Sequence, residues 1–263
     1  MSTGGRAPGA WALTIVAALL TVGSAATDIM AFTRLGNVFA SVMTSNIVFL
    51  GLAAARHSGS LALHAAVSFA GYAAGVLTGS RLARRPARTG TADAEAAEAA
   101  TGAGGGGSWT PWVVATLGLE AAVLIGFTIG WEVTGTHPSG GSEFLLIALA
   151  TVAMGLQSAV VVVLDISGVG TTYLTGTLTS LLDSLASPGE ERGTATRRQA
   201  NLRRAFALSA LVVGALLAGL LISAAPAAVP AIPLAALAAV LTIGVRRLRA
   251  AAPPEPTLEG MQR

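Results

Sequence analysis

The sequence of 263 residues contains no cysteine and no lysine, and charged residues make up only 11% of it. Without cysteine the chain cannot form disulfides, thiolate metal sites or a cysteine nucleophile. Soluble proteins carry about 25% charged residues, so this composition argues against a soluble globular protein. The 16 basic residues are all arginines in short runs between apolar stretches. This pattern is typical of membrane-protein loops and argues against a nucleic-acid partner.

Apolar residues make up 53% of the chain and form eight long stretches. A helix needs about 20 apolar residues, and at least about 17, to cross the hydrocarbon core of a bilayer. The second and sixth stretches are the poorest candidates because hydroxyl and amide side chains interrupt them. The stretches run over Trp11–Met30, Asn37–Ala55, Leu61–Leu82, Trp112–Trp131, Phe144–Leu164, Val169–Leu185, Ala205–Ala225 and Val229–Val245.

The stretches divide the chain into two membrane halves. We expect half 1 over residues 11–131 and half 2 over residues 142–248. A flexible linker, residues 84–108, interrupts half 1, since its glycines and small polar residues cannot bury a core. Residues 1–10 are expected to form an N-terminal tail, and the proline-containing residues 249–263 a disordered one.

Each half contains one of two similar segments, residues 27–55 and 158–187. In both, an apolar helix is followed by a short polar break, a hydroxyl-rich turn and further apolar residues. Thr44 and Thr175 occupy equivalent positions, 131 residues apart. Weak internal repeats of this kind are common in transporter folds.

The arginines distinguish two topologies. If all eight stretches span and the N-terminus is cytoplasmic, five arginines lie outside, four of them in the cluster Arg81–Arg88. If the second and sixth stretches enter and leave on the same side, only Arg34 and Arg56 lie outside, in better agreement with the positive-inside rule. We therefore predict an all-α polytopic membrane protein with two inverted repeats and six spans plus two re-entrant or half-helix segments. Eight full spans are the alternative, and both termini are expected to be cytoplasmic.

A distinctive set of residues surrounds the repeated turns. It consists of Asp28, Leu35–Phe39, Met43–Asn46, Leu50–Gly51, Gly155–Gln157 and Thr172–Leu178. In these residues the chain resembles the YoaK family, bacterial multi-pass membrane proteins defined as a domain of unknown function. The resemblance covers nearly the whole chain and implies a protein of the bacterial cytoplasmic (inner) membrane, without an assigned activity or substrate. The family usually has glycine where this chain has Ser45, and serine lacks the freedom of glycine at positive φ.

Acidic residues in or near the apolar stretches are candidate functional groups, because an ionisable side chain in a membrane is costly. Asp165 and Asp183 lie near segment ends, where a location at the membrane interface is the main alternative. For Asp28 both interpretations stay open. Glu120 lies in the middle of its stretch, where function or a buried partner is favoured. The candidate intramembrane ionisable residues are Asp28, Glu120 and Asp165.

The hydroxyl and amide side chains of the repeated turns are the candidate substrate pathway. Such groups can replace the solvent contacts of a small polar solute. Packing between helices is the alternative, because small and hydroxyl residues are normal there. The predicted pathway residues are Thr44, Ser45, Asn46, Thr175, Gly176, Thr177 and Gln157.

Glycine and tryptophan positions predict packing and anchoring rather than chemistry. Gly71, Gly75 and Gly79 repeat every four residues, so they fall on one helix face and predict a close helix contact. Tryptophans flank the fourth stretch, as expected of side chains at the membrane–water interface. They are Trp109, Trp112 and Trp131.

These features predict a small-solute transporter or channel of unknown substrate, with its site where the two hydroxyl-rich segments cross near the midplane. A non-transport scaffold or sensor is the alternative. An intramembrane enzyme is disfavoured because the chain has no Gly-x-Ser-x-Gly motif and no serine can be tied to His64, the one histidine within a stretch. We expect no cofactor and no metal. The expected partners are the lipid bilayer and a small polar solute or ion.

Overall fold

A computed structural model describes residues 9–85, 109–165, 171–186 and 194–251. Within these ranges the chain forms eight α-helices, one short 3-10 turn (Pro226–Ala228) and no strand. Most of the predicted linker and both predicted tails lie outside the described residues. The helices are α1 (Gly9–Arg34), α2 (Met43–Ala55), α3 (Gly59–Ala83), α4 (Pro111–Val133), α5 (Gly141–Val163), α6 (Thr171–Ala186), α7 (Thr194–Ala224) and α8 (Ala231–Ala251).

Six of the described helices, α1, α3, α4, α5, α7 and α8, are long and apolar enough to cross a membrane. The two weakest apolar stretches form the two short helices. α2 has 13 residues, which at 1.5 Å per residue gives about 20 Å, well under the roughly 30 Å of a hydrocarbon core. α6 has 16 residues, and six of its first ten are threonine or serine. The prediction of six long apolar helices is confirmed.

Helix boundaries follow local chemistry. The hydroxyl of Ser58 accepts a hydrogen bond from the backbone N–H of Leu61 and caps α3. Thr110 caps α4 by accepting from Val113, and Pro111 occupies the first turn, where a missing N–H costs nothing. These caps use hydroxyl side chains because the first backbone N–H groups of a helix have no partner within it.

The two innermost helices are α1 and α5. In their most apolar stretches 72% and 67% of the residues are buried, against 22–39% in the other four long helices. α1 packs along α7 and α8, and α5 packs along α3 and α4. α1 and α5 also contact each other, as do α4 and α8.

The glycine stripe of α3 lies against α5, as its spacing predicts. A Cβ built at Gly75 would lie 2.3 Å from the carbonyl oxygen of Val152. One built at Gly155 would lie 2.3 Å from the carbonyl oxygen of Tyr72. The backbones of α3 and α5 are therefore in direct contact at Gly75 and Gly155, because glycine has no side chain to keep them apart. α1 and α7 meet in a similar way, because a Cβ at Gly214 would lie 2.6 Å from the carbonyl oxygen of Val22.

Long-range contacts gather six helix ends at one end of the bundle. The guanidinium of Arg34, at the end of α1, lies 2.8 Å from Nε2 of His137 and bonds the carbonyl of Ile222, near the end of α7. At the start of α3, Nε2 of His64 lies 3.3 Å from Oε1 of Glu143, at the start of α5. Trp131 of α4 donates its indole N–H to the carbonyl of Pro226, just before α8, at 3.0 Å. Trp131 is fully buried, which corrects the prediction that it anchors at the membrane surface.

The described arginines separate between the two ends of the bundle. Arg34 and Arg56 lie at the end just described, which we call the arginine-poor end. At the opposite, arginine-rich end, the guanidinium of Arg85 stacks on Trp112 at 5.3 Å. The arginines at this end are Arg81, Arg84, Arg85, Arg198, Arg203, Arg204, Arg246, Arg247 and Arg249.

The two short helices each form a hairpin with the next long helix. Asn46, at the start of α2, donates a hydrogen bond to Ser68 of α3. The tight turn Arg56–Ser58 connects the two helices. Because both Arg34 and Gly59 lie at the arginine-poor end, the segment between α1 and α3 leaves that end and returns to it. α6 packs on α7 in the same antiparallel way, with Ser184 bonded to Asn201.

Candidate functional site

Asp28 lies in the last third of α1 and is 6% exposed. Its Oδ1 accepts hydrogen bonds from the backbone N–H groups of Ala40 and Ser41, each at 2.8 Å. Its Oδ2 accepts from the Ser41 hydroxyl at 2.5 Å. The carboxylate therefore ties the chain that follows α1 back against that helix. In this arrangement Asp28 positions the connection into α2.

Asn46, at the start of α2, also holds the connection between α1 and α2 through hydrogen bonds, and its side chain is fully buried. Its Oδ1 accepts from the Phe39 N–H at 3.0 Å, and its Nδ2 donates to the Phe39 carbonyl at 2.7 Å. Its Nδ2 also donates to the Ser68 hydroxyl at 2.7 Å. The amide thus satisfies the backbone of Phe39 at a point where the chain is not helical. Thr44 is exposed and Ser45 is half-buried, so the three predicted pathway residues of this turn do not share one site.

The second hydroxyl-rich turn lies within α6. Thr175 and Gly176 are exposed, whereas Thr177 is 7% exposed. Each short helix packs on the long helix that follows it, and α2 and α6 do not pack against each other in this way. The predicted crossing of the two hydroxyl-rich segments is therefore corrected, because α1 and α5 occupy the centre instead.

Of the predicted pathway residues, Gln157 lies at the contact between α1 and α5. It is buried on α5, and its Nε2 donates to the carbonyl of Leu20 on α1 at 3.3 Å. Ser24 and Thr27 lie one and two turns beyond Leu20 on the same face of α1, and both are buried. These two hydroxyl residues were not among the predicted pathway residues. Their spacing with Thr21 in the first apolar stretch is the signal that could have found them.

The remaining acidic candidates have contrasting surroundings. Glu120 is fully buried in α4, and neither carboxyl oxygen has a hydrogen-bond partner among the residues that the structure describes. Asp165 follows the end of α5 with its side chain exposed, and Asp183 is exposed on α6. Asp165 and Asp183 are thus not buried between helices. Glu120 differs from them as a buried carboxyl for which the described residues provide no hydrogen-bond partner.

Comparison with known proteins gives the family. The model of a family described as "Protein of unknown function (DUF1275)" matches residues 16–243. The chain belongs to this family. It is also 27% identical to the UPF0700 transmembrane protein YoaK of Bacillus subtilis (strain 168) over 168 residues, 64% of this chain and 65% of that protein. The chain's match thus spans slightly less than two thirds of that relative, and no solved structure matches.

The six long apolar helices and the transmembrane relative together identify this DUF1275 member as a multi-pass membrane protein. The YoaK-family resemblance is confirmed. In the connection between α1 and α2, left-handed backbone occurs at Gly36 and Asn37, with φ of 71° and 57°. Ser45 does not have a positive φ, so serine replaces the usual glycine there without backbone strain.

Proposed function

We propose that the protein is a small-solute transporter or channel built from two inverted halves, α1–α4 and α5–α8. The observation that supports this most is the matched pairing of the helices. α1 packs on α7 and α8 as α5 packs on α3 and α4, and α2 packs on α3 as α6 packs on α7. A pseudo-two-fold axis would exchange the halves and pass through the α1–α5 and α4–α8 contacts. Repeats of this kind are characteristic of transporter folds.

Inversion follows from the number of spans in each half. Three spanning helices in the first half leave the chain on the opposite side of the membrane, so the second half begins from there. This count requires α2 and α6 to be re-entrant, which their short lengths and hairpin packing support. Non-helical backbone at membrane depth needs polar partners, and Asp28 and Asn46 supply them to the segment before α2.

We place the solute path at the α1–α5 contact. There Gln157 of α5 donates to the carbonyl of Leu20, and the buried Ser24 and Thr27 follow Leu20 at one-turn and two-turn spacing along α1. Hydroxyl and amide groups in these positions suit a small polar solute, and no catalytic activity is assigned. A non-transport scaffold is the second candidate, favoured by the hydrogen bonds that already occupy Asp28 and Asn46.

Cysteine accessibility tests the path without knowledge of the substrate, because the native chain has no cysteine. We expect Ser24→Cys and Gln157→Cys in proteoliposomes to react with a charged, membrane-impermeant thiol reagent. Ala25→Cys is the matched control. Ala25 and Ser24 are both 3% exposed, but Ala25 lies against Gly214 of α7. Equally slow reaction at all three positions would mean dry packing between α1 and α5 and would favour the scaffold.

The same approach tests the orientation. Under the positive-inside rule the arginine-rich end is cytoplasmic. We expect Arg56→Cys to react with reagent added outside cells and Arg84→Cys to react only after the membrane is opened. Both arginines are exposed and each follows the end of a helix, so they form a matched pair. The reverse result at both positions would mean that the arginine-poor end faces the cytoplasm. Labelling of Arg34→Cys and Arg56→Cys from opposite sides would instead support eight full spans.

A further inference from the structure

Glu120 occupies the middle of α4, far from both ends of the bundle. Near the start of α4, Val114 lies against Gly244 of α8. Near its end, Gly130 lies against Leu146 of α5. Between these contacts Glu120 belongs to the buried stripe of α4, flanked by Leu117 and Leu124, which are 0% and 1% exposed.

No described helix packed against α4 brings a charge to this carboxyl. On α3, His64 contacts Glu143 of α5 at the arginine-poor end, and Tyr72 donates to the hydroxyl of Ser158. Arg81 of α3 and the arginines near the end of α8 lie at the arginine-rich end. Within the described part of the chain, neither oxygen of Glu120 has a hydrogen-bond partner. An ionised carboxylate in such a place is strongly disfavoured, whereas the neutral acid is tolerated far better.

We infer that Glu120 is the binding site for one exchangeable proton, which couples to movement of solute between α1 and α5. The inference rests on the proposed function. A proton fits better than a metal ion. Metal cations take several oxygen ligands, and the described residues contain no group of three histidine, aspartate or glutamate side chains that could hold one. α8, the counterpart of α4, contains no acidic residue, so the site occurs in one half only.

The proposed step is a simple acid–base exchange. Water that reaches the site takes the proton from the carboxylic acid, and the resulting carboxylate needs that water as long as it stays charged. Reprotonation restores a neutral group that can be enclosed again by the apolar stripe. Opening of the bundle to water and the protonation state of Glu120 are therefore linked, which is the link a coupled transporter needs.

Infrared spectroscopy of the protein in lipid nanodiscs, with carbon-13-labelled glutamate, tests the proton directly. We expect a neutral-carboxyl C=O band near neutral pH that shifts in D₂O and disappears at alkaline pH. The band should be absent in Glu120→Gln and retained in Glu132→Gln, since Glu132 lies on the same helix but is exposed. A band that is missing, or that neither exchanges nor titrates in the native protein, would overturn the inference even if Glu120→Gln fails to fold.

Thiol labelling at Ser24→Cys separates coupling from transport. We expect the labelling rate to change with pH, and most of this pH dependence to be lost when Glu120→Gln is added but not when Glu132→Gln is added. Labelling that is pH-independent, or unaffected by Glu120→Gln, would remove the coupling and leave the proposed path intact. An exchangeable infrared band without labelling at Ser24 or Gln157 would remove the path, and with it the coupling, while leaving Glu120 as a proton-binding residue.

Discussion

Gly155→Ala is expected to lower the stability of the protein by about 1–3 kcal/mol, the usual range for overpacking a close contact. The added methyl group would lie 2.3 Å from the carbonyl oxygen of Tyr72 and 2.9 Å from the Cα of Gly75. Both are backbone atoms, which cannot turn away as the end of a side chain can. α3 and α5 would have to separate along their whole contact. Thermal unfolding in detergent measures the loss.

Gly118→Ala is the matched control for this experiment. Gly118 lies on an exposed face of α4, with nothing within 4 Å of an added Cβ. The same substitution is expected to be neutral or to stabilise there, because alanine favours the helix over glycine by up to about 1 kcal/mol. Equal effects of the two substitutions would contradict the close contact between α3 and α5. Gly75→Ala should behave like Gly155→Ala, since its methyl group would meet Val152 from the other side.

Asp28→Ala is expected to cost about 2–5 kcal/mol, because it leaves buried donors without an acceptor. The backbone N–H groups of Ala40 and Ser41 both depend on this carboxylate. Without it the segment before α2 loses its tie to α1. We expect lower thermal stability and faster proteolysis between α1 and α2.

Asp28→Asn separates hydrogen bonding from charge. Its Oδ1 can still accept from Ala40 and Ser41, so this variant should lose clearly less stability than Asp28→Ala. Asp183→Ala is the control, since Asp183 is exposed on α6 and should tolerate the change. If Asp28→Ala is as stable as Asp183→Ala, the positioning role of Asp28 is wrong.

The six long apolar helices could be predicted from the sequence, because length and apolar composition are properties of consecutive residues. The arginines favoured six spans with two re-entrant segments but left eight full spans open. The structure places Arg34 and Arg56 at the same end of the bundle. The glycine spacing of α3 also predicted a close contact, because one helix face is defined by local geometry. Its partner, the face of α5 around Gly155, is remote in sequence and could not be predicted.

Only the tertiary structure distinguished residues that look alike in sequence. Asp28 and Glu120 are both acids within apolar stretches, yet Asp28 accepts three hydrogen bonds and Glu120 accepts none from the residues described. The donors to Asp28 come from a non-helical segment 12 and 13 residues away, whose course depends on packing against α3. Likewise, packing decided that α1 and α5, rather than the hydroxyl-rich short helices, form the centre. Burial and hydrogen bonding depend on contacts between residues that are distant in sequence. Composition and residue spacing therefore do not predict which side chains are buried or hydrogen-bonded.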